Sequence, residues 1–253
     1  NTDKPYLFVD RVFESKGYGT VVTGTLRNGI FNENENVIVL PSLNEAKIKK
    51  IESHFEDIDE GSPSQRTALN ISGISLDKVN RGSIVCKKNF FTESKEIIVK
   101  LELIKDKKIK NNHGVEILAG TASIKGKIIF IDERYKDEKI LVLKIKFEKP
   151  WFFYPGEPFV LTSPGGYRIL GGGTVVHIDY KSSMKKTVRE KLEIFKNYDA
   201  EEILEYNIAV KKWIPVKYIY SKYSSTEKAV KKIINDLIER EMIIEKADVV
   251  IEK

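Results

Sequence analysis

Short apolar runs broken by clusters of Gly, Asn, Asp and Ser fill the first 90 residues, at 6–13, 20–26, 37–40, 46–53, 67–71 and 84–86. Runs of that length with turn signals between them spell an all-β barrel or sandwich. A second set follows at 96–104, 115–119, 122–131, 140–147, 159–161 and 169–178. Its turns are legible too: Asp132-Glu133-Arg134 with Lys136-Asp137, then Pro155-Gly156, then Pro164-Gly165-Gly166. Two small β-barrels in tandem are the simplest account, the first over 1–91 and the second over 92–180.

The pattern then changes. Residues 181–187 read as a polar, basic linker, and beyond them the apolar period shifts from strand to helix. Val230, Ile233, Ile234, Leu237 and Ile238 fall on one helical stripe, with Ser224 and Glu227 as a capping box at its start. Two further helices are expected at 188–196 and 215–223, and residues 242–251 read as a hairpin. Three helices and a terminal hairpin over 188–253 spell a winged helix, with an α/β dimerisation module as the alternative. The predicted class is mainly β with a C-terminal α+β part.

Composition narrows the functions. Lys and Arg number 43 against 37 Asp and Glu, a net charge of +6 that suits a polyanionic partner without requiring one. The single cysteine, Cys86, excludes a disulfide framework within the chain. His54, His113 and His177 are scattered without ligand spacing, so no metal site is expected. No apolar run approaches the roughly 20 residues of a membrane span, and Asn1–Phe8 lacks the shape of a signal peptide. A cytoplasmic protein without membrane contact, monomeric, is the expectation.

Within the first set of strands, PYLFVDRVFESKGYGTVVTGTL from Pro5 to Leu26 reads as a hairpin, with Gly17 and Gly19 in its turn and an Asp10-Arg11 pair inside its first strand. This wording resembles the opening of the second domain of translational GTPases, the family of elongation factor Tu. The Asp-Arg pair ahead of Val-Phe and the Thr25-Leu26 after the glycine are closer to the selenocysteine-specific branch. Further fragments in the family's order are Ser64-Gln65-Arg66-Thr67-Ala68-Leu69-Asn70, Val79-Asn80-Arg81-Gly82, Leu118-Ala119-Gly120-Thr121-Ala122 and Arg168-Ile169-Leu170-Gly171-Gly172-Gly173. One departure is Ser64, where the family carries glycine.

The resemblance implies two translation-factor barrels that hold selenocysteyl-tRNA, with a pocket for the esterified amino acid at Asp10, Arg11 and Arg66. It implies tRNA contacts from Arg81 near the acceptor stem, and phosphate contacts from Lys125, Lys127 and Arg168. Lysines are also the commonest solubilising residues here, so a solvated surface is the plain alternative. Asp10 and Arg11 have an ordinary reading as well, because neighbours on a regular strand point to opposite faces.

Lys228, Lys231, Lys232 and Asn235 lie on the polar side of the last helix, where a nucleic-acid-binding winged helix presents its contacts. By the resemblance this would be the first of a series whose far members hold a messenger-RNA hairpin, so it is expected to act as a spacer. The family's nucleotide-binding domain is absent: no G-x-x-x-x-G-K-[ST] occurs, and Gly171-Gly172-Gly173 precedes a strand rather than a helix. No cofactor is expected in this chain, with GTP and magnesium belonging to a missing N-terminal domain and the ribosome as a further partner. Other readings are a general aminoacyl-tRNA carrier and a winged-helix DNA-binding module on a barrel scaffold.

Overall fold

The computed structural model describes residues 4–15, 19–132, 138–178, 192–197, 200–211, 213–216, 219, 227–246 and 249–252. The chain divides into two units, one of residues 1–90 with 120–123, the other of residues 91–119 and 124–253.

In the first unit the strands are β1 (Tyr6–Ser15), β2 (Gly19–Arg27), β3 (Phe31–Asn32), β4 (Asn36–Leu40), β5 (Asn44–Ser53), β6 (Glu56–Ile58), β7 (Glu60–Gly61), β8 (Arg66–Ser72) and β9 (Ile84–Cys86). The order β4-β9-β1-β2-β8-β5 returns on itself through a β4–β5 pairing, while β6 hangs on β5 and β3 pairs with β7. Alternate residues point inward and meet: Leu7, Val9, Val22, Leu26, Ile48, Ile51, Leu69, Ile71 and Val85 form one buried core. Cys86 is buried, in register with Tyr6 and Ile38, and burial pushes its thiol up, away from the ionised form.

The next strands, in the second unit but for the first two residues of β12, are β10 (Thr92–Leu103), β11 (Gly114–Ala119), β12 (Ala122–Phe130), β13 (Ile140–Phe153), β14 (Pro158–Thr162) and β15 (Ile169–His177). They close a barrel in the order β10-β13-β12-β11-β14-β15. The glycine run lies in β15, as the sequence suggests. A Cβ on Gly171 would run into the Glu102 carbonyl, and one on Gly173 into the Lys100 carbonyl, so these glycines let β15 close on β10.

After the barrel come α1 (Leu192–Asn197), α2 (Ala200–Lys211), β16 (Trp213–Pro215), α3 (Glu227–Glu239), β17 (Ile243–Lys246) and β18 (Val249–Glu252). The last three strands pair in the order β16-β18-β17. Ile98, Val142 and Val176 on the barrel's outer face pack with Leu192 and Phe195 of α1 and Ile203 and Tyr206 of α2. The other side of α2, Leu204 and Ile208, joins Val230, Ile234 and Leu237 of α3 and Val250 of β18 in a separate core.

The expected helix at 215–223 begins a residue later than the sequence suggests: Trp213–Pro215 pairs with β18 as a strand, Val216 and Ile219 are helical, and the rest of that span lies outside the described residues. The sequence reading also gave no helix at α2. Its apolar residues serve two cores on different sides, so no single stripe marks it. The linker at 181–187, Gly17, the turn at 133–137, residues 188–191 and the Ser224 cap lie outside the described residues.

Candidate amino-acid and nucleic-acid site

The Asp10-Arg11 pair sits on a β-bulge. In the β1–β2 ladder Val9 faces Gly24 and Arg11 faces Thr23, which leaves Asp10 without an opposite number. Val9 is in the core and Val12 packs against the same core, so two successive residues between them, half-buried Asp10 and exposed Arg11, are kept off it. The opposite-faces argument therefore fails at this point of β1. Gly24 makes the local approach possible, since a Cβ there would run into the Phe8 carbonyl.

Two turns bring arginines to the bulge. Before β8 the backbone bends at Ser64, whose φ is +69°, with the Ser64 amide donating to the Leu26 carbonyl at 2.8 Å and the Leu26 amide to the Gln65 carbonyl at 3.0 Å. This fixes Arg66 at the start of β8, opposite Thr25. The second turn runs through Asn80 to Ser83 and is closed by the Ser83 amide donating to the Asn80 carbonyl at 2.9 Å. Gly82, at φ +92°, donates to the Val9 carbonyl at 2.9 Å, and the Val9 amide donates to the Ser83 carbonyl at 2.8 Å. Arg81 is thereby tied to the residue that precedes the bulge.

The result is one carboxylate between two guanidinium groups. Arg66 Nη2 donates to Asp10 Oδ2 at 3.0 Å, and Arg81 Nη2 lies 3.7 Å from Asp10 Oδ1. The Arg66 hydrogen bond, aided by the fields of Arg81 and Arg11, holds the Asp10 carboxyl below the usual carboxylate range. The Arg66 and Arg81 side chains remain 59% and 70% exposed, and each guanidinium has five N–H donors. With Arg11 alongside, the cluster keeps a net positive charge and can receive an anion.

Strand register extends the site into a face. Phe13, Val21, Asn70 and Lys50 form one row across β1, β2, β8 and β5; Arg11, Thr23, Ala68 and Glu52 form the next, and Thr25 with Arg66 begins the third. Phe13, Ser15, Val21, Thr23, Lys50, Glu52, Ala68 and Asn70 line a hollow of about 330 Å3 on this face. Sequence reasoning missed those lining residues, and also that Arg81 joins Asp10. The period-two alternation was available, but the bulge that sets the register of β1 was not.

The remaining candidates are in the second unit. Lys125 and Lys127 are exposed on β12, opposite buried Ile124 and Ile128, and Lys127 is in register with Lys146. Arg168 is exposed at the end of a turn closed by the Ser163 amide donating to its carbonyl at 2.8 Å. On α3, Lys228, Lys231, Lys232 and Asn235 are exposed, while Val230, Ile234 and Leu237 are buried. No helix among the described residues is long and apolar enough to cross a membrane.

Residues 19–86 match the family described as elongation factor Tu domain 2. The selenocysteine-specific elongation factor of Desulfomicrobium baculatum is 25% identical over 172 residues, covering 67% of this chain and 27% of that protein. Its namesake in Haemophilus influenzae is 28% identical over 192 residues, 74% and 30% of the two. The chain is similar to the selenocysteine-specific elongation factors over two thirds to three quarters of its length. It spans less than a third of the length of these relatives.

Elongation factor 1-alpha of Pyrobaculum arsenaticum is 31% identical over 105 residues, 41% of this chain and 24% of that one. Among solved structures, a bacterial selenocysteine-specific elongation factor EF-Sec superposes over 100% of this chain and 50% of its own, with a TM-score of 0.67 at 21% identity. The apo elongation factor SelB of Methanococcus maripaludis covers 71% and 45%, with a TM-score of 0.61 at 22% identity. At those identities the likeness is one of fold.

Proposed function

We propose that the outer face of the first barrel holds the aminoacylated 3′ end of selenocysteyl-tRNA, and that the parent protein delivers that tRNA to recoded UGA codons. The observation that carries this reading is the Asp10 carboxylate set between Arg66 and Arg81. A selenol is a stronger acid than a thiol, so at neutral pH the selenocysteine side chain is an anion, whereas its precursor serine presents a neutral hydroxyl. Guanidinium groups never lose their charge and favour the anion. Each charge-assisted hydrogen bond contributes about 1.5–3 kcal/mol, so one or two such contacts give discrimination of roughly a hundredfold. Asp10 offsets the excess positive charge in the empty site and can take the ammonium of the ester when it is filled. The neighbouring hollow, lined in part by Phe13 and Val21, has room for the sugar or base that carries the ester.

Other parts serve the same task. Lys125, Lys127 and Arg168 give salt-dependent contacts to tRNA phosphates. The C-terminal α+β part is read as a winged helix that spaces the barrels from further domains holding a messenger-RNA hairpin. GTP and magnesium act in a neighbouring domain of the parent, which works on the ribosome in the cytoplasm.

The test is equilibrium binding of this chain to selenocysteyl-tRNA and seryl-tRNA of one isoacceptor at low and moderate salt. Preference for the selenocysteyl form that falls about tenfold with Arg66→Ala supports the reading. Equal affinity for both, fading with salt, refutes the pocket and leaves a general tRNA carrier.

A further inference from the structure

The two residues that turn β5 into β6 are His54 and Phe55, and both occupy the left-handed region, at φ +55° and +67°. Ser53 pairs with Glu56, so this is a two-residue hairpin of the kind that favours Asn-Gly. A phenylalanine there is unusual twice over. Its bulk is disfavoured at positive φ, and its side chain is 97% exposed, so it returns no burial for the strain. Strain that folding does not require is a reason to look for a function nearby.

Its position supplies one. The β5–β8 ladder ends with Ser53 opposite Thr67, and the Ser53 hydroxyl donates to the Arg66 carbonyl at 3.1 Å. The turn therefore leaves the sheet beside Arg66, at the arginine end of the face that carries the hollow. An aromatic ring offered to solvent on a turn whose base neighbours Arg66 suits an unpaired nucleobase, which stacks on aromatic faces whatever its sequence. A protein partner would call for more apolar surface than one ring.

We propose that Phe55 is a stacking platform for an unpaired base of the tRNA's single-stranded 3′ tail. This rests on the reading of the outer face as a tRNA 3′-end site, and it adds a contact to the nucleic acid that is separate from the arginine contact to the amino acid.

Three variants of the full chain test it: Phe55→Ala, Phe55→Trp, and His54→Asn combined with Phe55→Gly. The last installs the favoured turn sequence, so it is expected to unfold at a higher temperature than the parent while binding more weakly. Binding is measured to intact uncharged tRNA and to the same tRNA trimmed of its unpaired 3′ nucleotides. Loss of one stacked base weakens binding roughly tenfold, so Phe55→Ala should show that loss on intact tRNA and none on trimmed tRNA. Phe55→Trp should bind as the parent does, with its added indole emission quenched by intact tRNA alone.

If Phe55→Ala binds intact tRNA as tightly as the parent, the platform is overturned, and the arginine pocket stands or falls by its own selenocysteyl-to-seryl ratio. An equal loss on intact and trimmed tRNA also overturns it, and points to a contact elsewhere. Failure of the parent to bind any tRNA overturns both.

Discussion

Arg66 and Asp10 are 56 residues apart in sequence and meet at 3.0 Å, one at the mouth of a turn and the other on a bulge. Neither would reach the other from a regular strand. The bulge keeps Asp10 and Arg11 both off the core, and the Ser64 turn sets where β8 begins. Backbone irregularity, more than residue type, assembles the site.

Asp10 should titrate below an ordinary aspartate. A carboxyl whose folded pKa lies below its unfolded value contributes stability above the unfolded pKa, and that contribution is lost as pH falls through the folded one. The window is thus the acid side of the normal carboxylate range. Following the Asp10 carboxyl carbon by NMR should give a depressed midpoint that rises most in Arg66→Ala, less in Arg81→Ala and least in Arg11→Ala, in the order of their influence. A midpoint at the value of a free aspartate would mean that the ion pair does not persist in solution.

Removing one guanidinium should separate recognition from stability. Arg66→Ala is expected to lower the selenocysteyl-to-seryl affinity ratio about tenfold, the equivalent of one charge-assisted hydrogen bond. Its unfolding midpoint should match the parent's, because exposed ion pairs contribute little to stability. Paired binding isotherms and melting curves check this. A large drop in melting temperature would instead make Arg66 a structural residue.

Ser64→Gly should stabilise the chain. Serine at φ +69° bears a steric cost that glycine avoids, and relief of about 1 kcal/mol is expected. A higher urea midpoint at unchanged slope is the expected result.

The sequence exposed some of this and hid the rest for identifiable reasons. Many strands were legible because apolar runs are flanked by turn residues, as in Val37–Leu40 within β4 and Ile84–Cys86 as β9. The two-residue strands β3 and β7 carry too few positions for a period. In β10, Ile97, Ile98 and Val99 are all buried because α1 and α2 cover the outer face, and that continuous run says strand without saying what covers it. At the site, residue types pointed to Asp10, Arg11 and Arg66, whereas the approach of Arg81 depends on a turn bonded to Val9. Long-range hydrogen bonds leave no periodic trace.

The glycine run of β15 offers a sharp test of why it is there. Gly173 and Gly172 are neighbours with different surroundings. A Cβ on Gly173 would run into the Lys100 carbonyl and sit 2.8 Å from Phe159 Cζ, while one on Gly172 would meet the Phe159 carbonyl at an ordinary 3.5 Å. Gly173→Ala must therefore push β15 from β10 or displace the Phe159 ring, and overpacking of this kind costs about 1–3 kcal/mol. Gly172→Ala should cost far less, because its added methyl finds space. Urea unfolding of the two variants should give well-separated midpoints, with Gly173→Ala lower. Coincident midpoints would mean that the barrel seam yields easily, and close packing would no longer account for glycine at this position.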